Sequence, residues 1–428
     1  MRQLDPVQSH KREPINVTSQ AQPRDQAKVW EPTYAARAER MRASEIRELL
    51  KLLEQPGIVS FAGGIPDPAL FPVEEARAAY ASVLTDPALA GSGLQYSVSE
   101  GYLPLRHWIV RHMGRLGVAC EVDNIVITSG SQQALDFLGR MLLSPGDTAL
   151  VTAPTYLGAL QAFSAYEPRY DELRPEDGNR TPASYAGAAS AAGGRVKFAY
   201  VVPDFANPTG ETLSLAARNR LLDLAAELDV PLIEDAAYAA LRFEGATLPP
   251  LMRLEVDRRG GIEAARTIYC GTFSKVLSPG LRVGWIVAPT AMIRRLVLVK
   301  QASDLNNATI NQMVMHRLAE RTYDAQVERA CAHYRRRRDA MVAALKRHMG
   351  RGVAWTEPKG GLFAWVRLPD AIDAAGLLDR AVAQARVAFV PGAAFFHDGR
   401  GRSALRLSYS LADEAQIEAG IARLARLI

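Results

Sequence analysis

From about residue 123 the chain repeats one unit: a short apolar run, a turn, then an amphipathic stretch. Strand candidates fall at 124–128 (NIVIT), 149–152, 197–202 (KFAYVV), 230–234 (VPLIE), 267–270 and 284–288. Between them, 131–143 (SQQALDFLGRMLL) and 216–228 carry helical periodicity. Strands that alternate with helices pair side by side only if the helices cross over the sheet faces. The pattern therefore predicts an α/β fold around a mainly parallel sheet. In such a sheet ligands collect at the carboxyl ends of the strands, so the residues just after each strand are where chemistry is sought.

The flanking segments differ. Residues 36–54 (ARAERMRASEIRELLKLLE) read as a helix stopped by Pro56-Gly57, and a Gly/Pro-rich extended segment, SFAGGIPDPALFP, follows. A long amphipathic stretch, 311–350, leads to a remainder (VAWTEPKGGLFAWVRL, VAFVPG, LRLSYS) that reads as a smaller α+β unit. At 428 residues the chain is long enough for two or three domains of roughly 150 residues each. The divisions expected are a loosely ordered tail (1–34), an arm (35–85), a large domain (86–315) and a small domain (316–428).

Several classes are argued against by composition. No apolar run reaches the roughly 20 residues of a membrane-spanning helix, and the polar first thirty residues lack the apolar core of a secretory signal. Three widely spaced cysteines (Cys120, Cys270, Cys331) read as reduced thiols of a cytoplasmic protein, and with no histidine cluster they predict no metal site. The net charge of +5 has one dense run, Arg335-Arg336-Arg337-Arg338, which reads as a solvated helix face and not as a nucleic-acid contact. Only eight of the 51 basic residues are lysines. Lys275, set in a Gly/Ser/Pro-rich loop, stands out among them.

Four features follow predicted strands. The helix opening at Ser129-Gly130-Ser131-Gln132 offers unpaired N–H groups and a positive dipole end to a phosphate; a plain N-cap role for Ser131 is the other reading. Asn207-Pro208-Thr209-Gly210 follows KFAYVVP and makes a good turn in its own right. Asp235, with Tyr238 three residues on, ends VPLIE, where a helix N-cap is the alternative. Last comes Gly271-Thr272-Phe273-Ser274-Lys275, with Arg282 a short loop away. Neighbouring cations and desolvation lower a lysine's pKa and make its amine nucleophilic. Together these supply a phosphate cradle, a carboxylate, hydrogen-bond donors and an amine able to capture an aldehyde.

The motifs GSQQAL, NPTG, EDAAY, GTFSKVLSPGLRVGW, PKGGLF and LRLSYS, in that order, resemble the fold type I (class I/II) aminotransferases over residues 35 to 428. Within them the chain is most similar to the 2-aminoadipate and kynurenine aminotransferase group. The resemblance implies pyridoxal 5'-phosphate as cofactor, a large domain with a seven-stranded sheet and a smaller α+β domain. Lys275 resembles the Schiff-base lysine that later moves the substrate proton, and Asp235 the carboxylate beside the pyridine nitrogen. Asn207 and Tyr238 resemble the donors to the ring oxygen, and Tyr156 the aromatic stacked on the ring. Ser131, Gln132, Thr272, Ser274 and Arg282 resemble the phosphate shell, and Tyr96 the tyrosine that reaches the phosphate of a neighbouring subunit in a homodimer. Arg406 matches the clamp of the substrate α-carboxylate, a role its local sequence does not prove. Arg47 matches a side-chain receptor, with a surface ion pair as the competing role, and Gly64 lies in a segment that approaches the substrate.

The function expected is a ping-pong transfer of an amino group from an L-amino acid (2-aminoadipate, glutamate, aromatic or branched-chain) to a 2-oxo acid such as 2-oxoglutarate. A C–S lyase or decarboxylase on the same scaffold shares every cofactor motif. A regulator using this domain as a sensor is disfavoured, because about 35 polar residues precede the resemblance, too few for a helix-turn-helix unit. Two segments depart from the close relatives' pattern, DLNNAT at 304–309 and Ala206 before NPTG. Both border the substrate side.

Overall fold

The computed structural model describes residues 30–40 and 57–428. Its first strand, β1 (Val59–Ser60), joins a segment far along the chain, and the next seven build one sheet. These are β2 (Ile125–Thr128), β3 (Thr148–Thr152), β4 (Arg169–Leu173), β5 (Val196–Val201), β6 (Leu232–Asp235), β7 (Thr267–Thr272) and β8 (Gly284–Val287). Their order is β2-β8-β7-β6-β5-β3-β4. Neighbours run parallel except at β8, which is antiparallel to β2 and β7.

The strands read from sequence are present, with ends shifted by one or two residues. They were legible because helices cover both faces, so β2, β6, β7 and β8 are buried at every position and carry short apolar runs, β6 as far as its acidic end. Strand β4 (RYDEL) was not foreseen. It is one of the two sheet edges, polar and only partly buried, as an edge that must not recruit further strands tends to be.

Helix α1 (Ser131–Leu142) follows β2, α2 (Leu157–Ser164) follows β3, and α3 (Leu215–Leu228) precedes β6. The long amphipathic stretch is one 40-residue helix, α4 (Thr309–His348). Beyond it β9 (Ala354–Trp355), β10 (Phe363–Arg367), β11 (Val387–Ala388), β12 (Val390–Pro391) and β13 (Ala404–Ser408) precede the last helix, α5 (Glu414–Ala425). Four of these strands form an antiparallel sheet, β12-β13-β10-β9, while β11 pairs in parallel with β1. That pairing, with Ser408 N donating to Phe61 O at 2.8 Å, lays residues 59–64 beside β13.

The four-arginine run departs from expectation. Arg335 and Arg336 face solvent, but Arg337 and Arg338 are buried. Arg337 pairs with Asp67 at 2.8 Å and donates to Ser410 O, and Arg338 pairs with Glu244 at 2.7 Å. Residues 67–70 lie along α4, where Gln326 donates to Leu70 O, so that face of the helix turns inward. At the other end of the chain, Ala36–Arg40 forms a 3-10 helix; the rest of the helix expected at 36–54, including Arg47, lies outside the described residues. Among the described residues no helix is long and apolar enough to cross a membrane.

Candidate active site

The cradle forms where β2 meets α1. Gly130, not Ser131, is the N-cap; its φ of 74° suits glycine, and no side chain caps the helix. The first N–H groups of α1 are thus left to a ligand. Arg282 crosses this turn, donating to Ser129 O at 3.0 Å and Pro279 O at 3.2 Å. A Cβ on Gly130 would stand 2.4 Å from Arg282 Nη2, and one on Gly284 2.9 Å from Ser131 N, so both glycines keep the approach open. Thr272 donates to Ser274 Oγ at 2.9 Å, placing two hydroxyls at the end of β7. This uncapped helix start, guanidinium and hydroxyl pair fit a phosphate.

Lys275 follows directly. Burial pushes its amine down to about 8; the Asp235 carboxylate opposes that, and Arg406 and Arg282 reinforce it. Its Nζ stands 3.5 Å from Gly64 O and 5.5 Å from the centre of the Tyr238 ring. Asp235 closes β6 and caps no helix, because a turn follows it. Its Oδ1 accepts from Ala237 N at 3.3 Å and its Oδ2 from the Tyr200 hydroxyl at 2.9 Å. Burial pushes Asp235 up to about 6, with those two bonds and Lys275 working against the rise.

The opposite wall joins residues from distant parts of the chain. Arg406, only 1% exposed in β13, donates to Asn207 Oδ1 at 2.8 Å and to Ala62 O at 2.5 Å. Its guanidinium lies 4.4 Å from the Phe363 ring centre and 5.1 Å from that of Phe395. Burial lowers its pKa to about 10, so it stays cationic at neutral pH. Arg406 Nε is buried without a partner among the described residues, an orphaned donor that suits an anionic substrate. The Tyr238 ring meets Phe363 edge-on at 5.6 Å, and burial pushes its phenol up, with the nearby Asn207 side chain working against the rise.

Gly64 completes this wall. A Cβ there would stand 2.5 Å from Phe363 Cζ. Gly64→Ala is therefore expected to displace the ring that supports Arg406. Overpacking costs about 1–3 kcal/mol, so KM for an anionic substrate held at Arg406 should rise about tenfold. Steady-state kinetics check this; an unchanged KM would mean that Phe363 moves without disturbing the clamp.

Tyr156 precedes α2, its hydroxyl 3.4 Å from Gln132 Oε1, while Gln132 Nε2 donates to Gly158 O at 2.6 Å. Burial pushes the Tyr156 phenol up to about 12, so it stays neutral. Tyr96 is not part of this cluster's walls as described; it is 80% exposed, between exposed Leu94 and Val98. Tyr200, Ala62 and the ring pair Phe363 and Phe395 were not foreseen. Tyr200 alone left a signal, a tyrosine late in an otherwise apolar buried strand. No group of three or more potential metal ligands occurs among the described residues.

Known proteins resemble the chain over most of its length. The family described as aminotransferase class I and II matches residues 58–424. The chain is 43% identical to the 2-aminoadipate transaminase of Thermus thermophilus, over 93% of this chain and 97% of that protein. It is 40% identical to aromatic-amino-acid aminotransferase 1 of Thermococcus litoralis, over 93% and 94% of the two chains. The crystal structure of the alpha-aminoadipate aminotransferase of Thermus thermophilus, complexed with N-(5'-phosphopyridoxyl)-L-leucine, superposes with a TM-score of 0.82 at 42% identity. That match covers 93% of this chain and 97% of that one.

Proposed function

The chain belongs to the aminotransferase class I and II family, and from that premise we propose that it passes the amino group of an acidic or aromatic L-amino acid to 2-oxoglutarate. It is a pyridoxal-phosphate-dependent transaminase. The observation that carries the assignment of residues is the meeting of half-buried Lys275 with the buried Asp235, Tyr238, Asn207 and Arg406. Relatives named for 2-aminoadipate and for aromatic amino acids support the donor class. We assign 86–315 to the cofactor-binding unit and 316–428, with the arm 35–85, to the smaller one; the β1–β11 pairing supports the arm's place.

When bound, pyridoxal phosphate supplies the electron sink that makes the Cα proton of an amino acid removable. The chain's residues do the rest. The N–H groups opening α1, with Ser131, Gln132, Thr272, Ser274 and Arg282, would hold the phosphate. Asp235 sets a negative charge where the ring nitrogen's proton is kept. Asn207 and Tyr238 would hydrogen-bond the ring oxygen, and Tyr156 would cover a ring face. Arg406 grips the α-carboxylate in a charge-assisted fork and so orients the Cα–H bond. Lys275 Nζ, which burial causes to lose its proton above about pH 8, takes the proton from Cα in its neutral form. Arg47 receives the donor's side chain.

A second copy of the chain completes the site through Tyr96. The exposed strip Leu94, Tyr96 and Val98, held to α4 by Thr309 Oγ1 donating to Gln95 O, supports that role because contiguous apolar exposure marks an interface.

The test is a half-reaction. Purified holoenzyme given an L-amino acid and no acceptor is expected to form one oxo acid per site and lose its visible absorbance, which 2-oxoglutarate restores. Continuous release of ammonia, thiol or carbon dioxide without an acceptor would overturn transamination in favour of a lyase or decarboxylase. A second expectation concerns pH. Lys275 holds its proton below about 8 and loses it above, so cofactor-free protein should capture pyridoxal phosphate faster as pH rises through about 8, not through 10.5. Stopped-flow absorbance measures this, and a midpoint near 10.5 would contradict the buried environment.

A further inference from the structure

We propose that Tyr200 is a positioning residue that keeps the Asp235 carboxylate ionised and aimed at the ring nitrogen of the cofactor, an inference that rests on the role given above to Asp235. The sheet sets the placement. Strands β5 and β6 are parallel neighbours with Tyr200 opposite Ile233, so Tyr200, Ile233 and Asp235 share one face. A tyrosine is long enough to reach its diagonal neighbour two residues along. It does so: the Tyr200 hydroxyl donates to Asp235 Oδ2 at 2.9 Å.

The phenol has little freedom to do anything else. Tyr200 is fully buried, and its ring meets Phe163 edge-on at 5.7 Å, with Phe163 packed on Phe198 at 5.0 Å. Burial, then the charge of Asp235, pushes the phenol well above its ordinary value, so it remains a donor at every working pH. Ala237 N occupies Oδ1 of the same carboxylate. One donor on each oxygen fixes the plane of the carboxylate and still leaves it lone pairs for a ring N–H. Burial works the other way, favouring the neutral acid, and the Tyr200 bond is the largest influence opposing it.

A tyrosine that only filled the core would have a hydroxyl indifferent to the ring nitrogen. The two roles separate in an experiment that reads the nitrogen itself. Tyr200→Phe holoenzyme is reconstituted with pyridoxal phosphate labelled with 15N in the ring, and the nitrogen shift is followed against pH. The nitrogen is expected to lose its proton about one pH unit lower than in the parent enzyme, since a hydrogen bond to a charged group is of that order. The dissociation constant of the cofactor should rise as well. Tyr185→Phe removes another buried hydroxyl, one that donates to Glu172 O at 2.8 Å away from this carboxylate, and is expected to leave the nitrogen midpoint unchanged.

An unchanged midpoint in Tyr200→Phe, with the proton lost in Asp235→Asn, would overturn the role of Tyr200 while leaving that of Asp235 standing. A nitrogen that stays protonated in Asp235→Asn would overturn both. Fluorotyrosine placed at position 200 alone gives a second reading that keeps the side chain. Its more acidic phenol is a stronger donor and is expected to move the midpoint upward; no movement would overturn the proposal.

Discussion

Lys275→Ala is expected to lower kcat for transamination by about 10⁴-fold, the upper end of what a positioned general base contributes, while the fold stays intact. Among the described residues the lysine's hydrogen bond is a long one, 3.5 Å to Gly64 O, and burial disfavours its charge, so its removal strips little from the native structure. What the change removes is the amine to which we assign both the capture of the cofactor and the substrate proton. The cradle at Gly130 and Arg282 does not depend on it, so pyridoxal phosphate should still bind through its phosphate. Kinetics and a thermal melt together check this. A variant that keeps more than a tenth of kcat would remove Lys275 from the chemistry, and one that unfolds would give it a structural part.

The second large effect is expected at Arg406. Truncating one partner of a buried, hydrogen-bonded charge pair costs about 2–5 kcal/mol, so Arg406→Ala should lower kcat/KM for amino acids by at least about 30-fold. The loss has two parts: the substrate carboxylate loses its clamp, and the carbonyls of Asn207 and Ala62 lose their donor. Arg406→Lys should not restore the activity, because an ammonium offers a point charge in place of the planar fork and stacks poorly between Phe363 and Phe395. An amine that lacks the α-carboxylate supplies the internal control. If Arg406→Ala slows that amine as much as it slows amino acids, the residue supports the site in general and does not clamp the carboxylate.

These two residues show what a sequence discloses and what it withholds. Lys275 was legible because lysine is scarce in this chain and its loop is built of small hydroxyl residues and glycine. Asp235 could be placed at a strand's carboxyl end, but that it caps no helix is seen only in the turn that follows it. Arg406 looked like any strand arginine, since its meaning lies in contacts with Asn207 and Ala62, 199 and 344 residues away. The pairing of β1 with β11 that brings Ala62 there has no local signature. Gly64 was named for its segment, whereas the reason for a glycine there is the Phe363 ring.

The same division holds for the fold. Buried parallel strands announced themselves as apolar runs, while the polar edge strand β4 did not. A run of four arginines suggested solvent because charge density is visible in a sequence, and the acceptors that draw Arg337 and Arg338 inward are not. Tyr200 passed for a core aromatic because its hydroxyl's partner lies on the adjacent strand. Chemistry confined to one loop could be read in advance; chemistry assembled across the sheet could not.

The most direct measurement is borohydride reduction of the holoenzyme followed by peptide mass spectrometry. The cofactor's mass is expected on the peptide containing Lys275, and on none of the other seven lysines. Label on a different lysine, or on none, would contradict the central assignment.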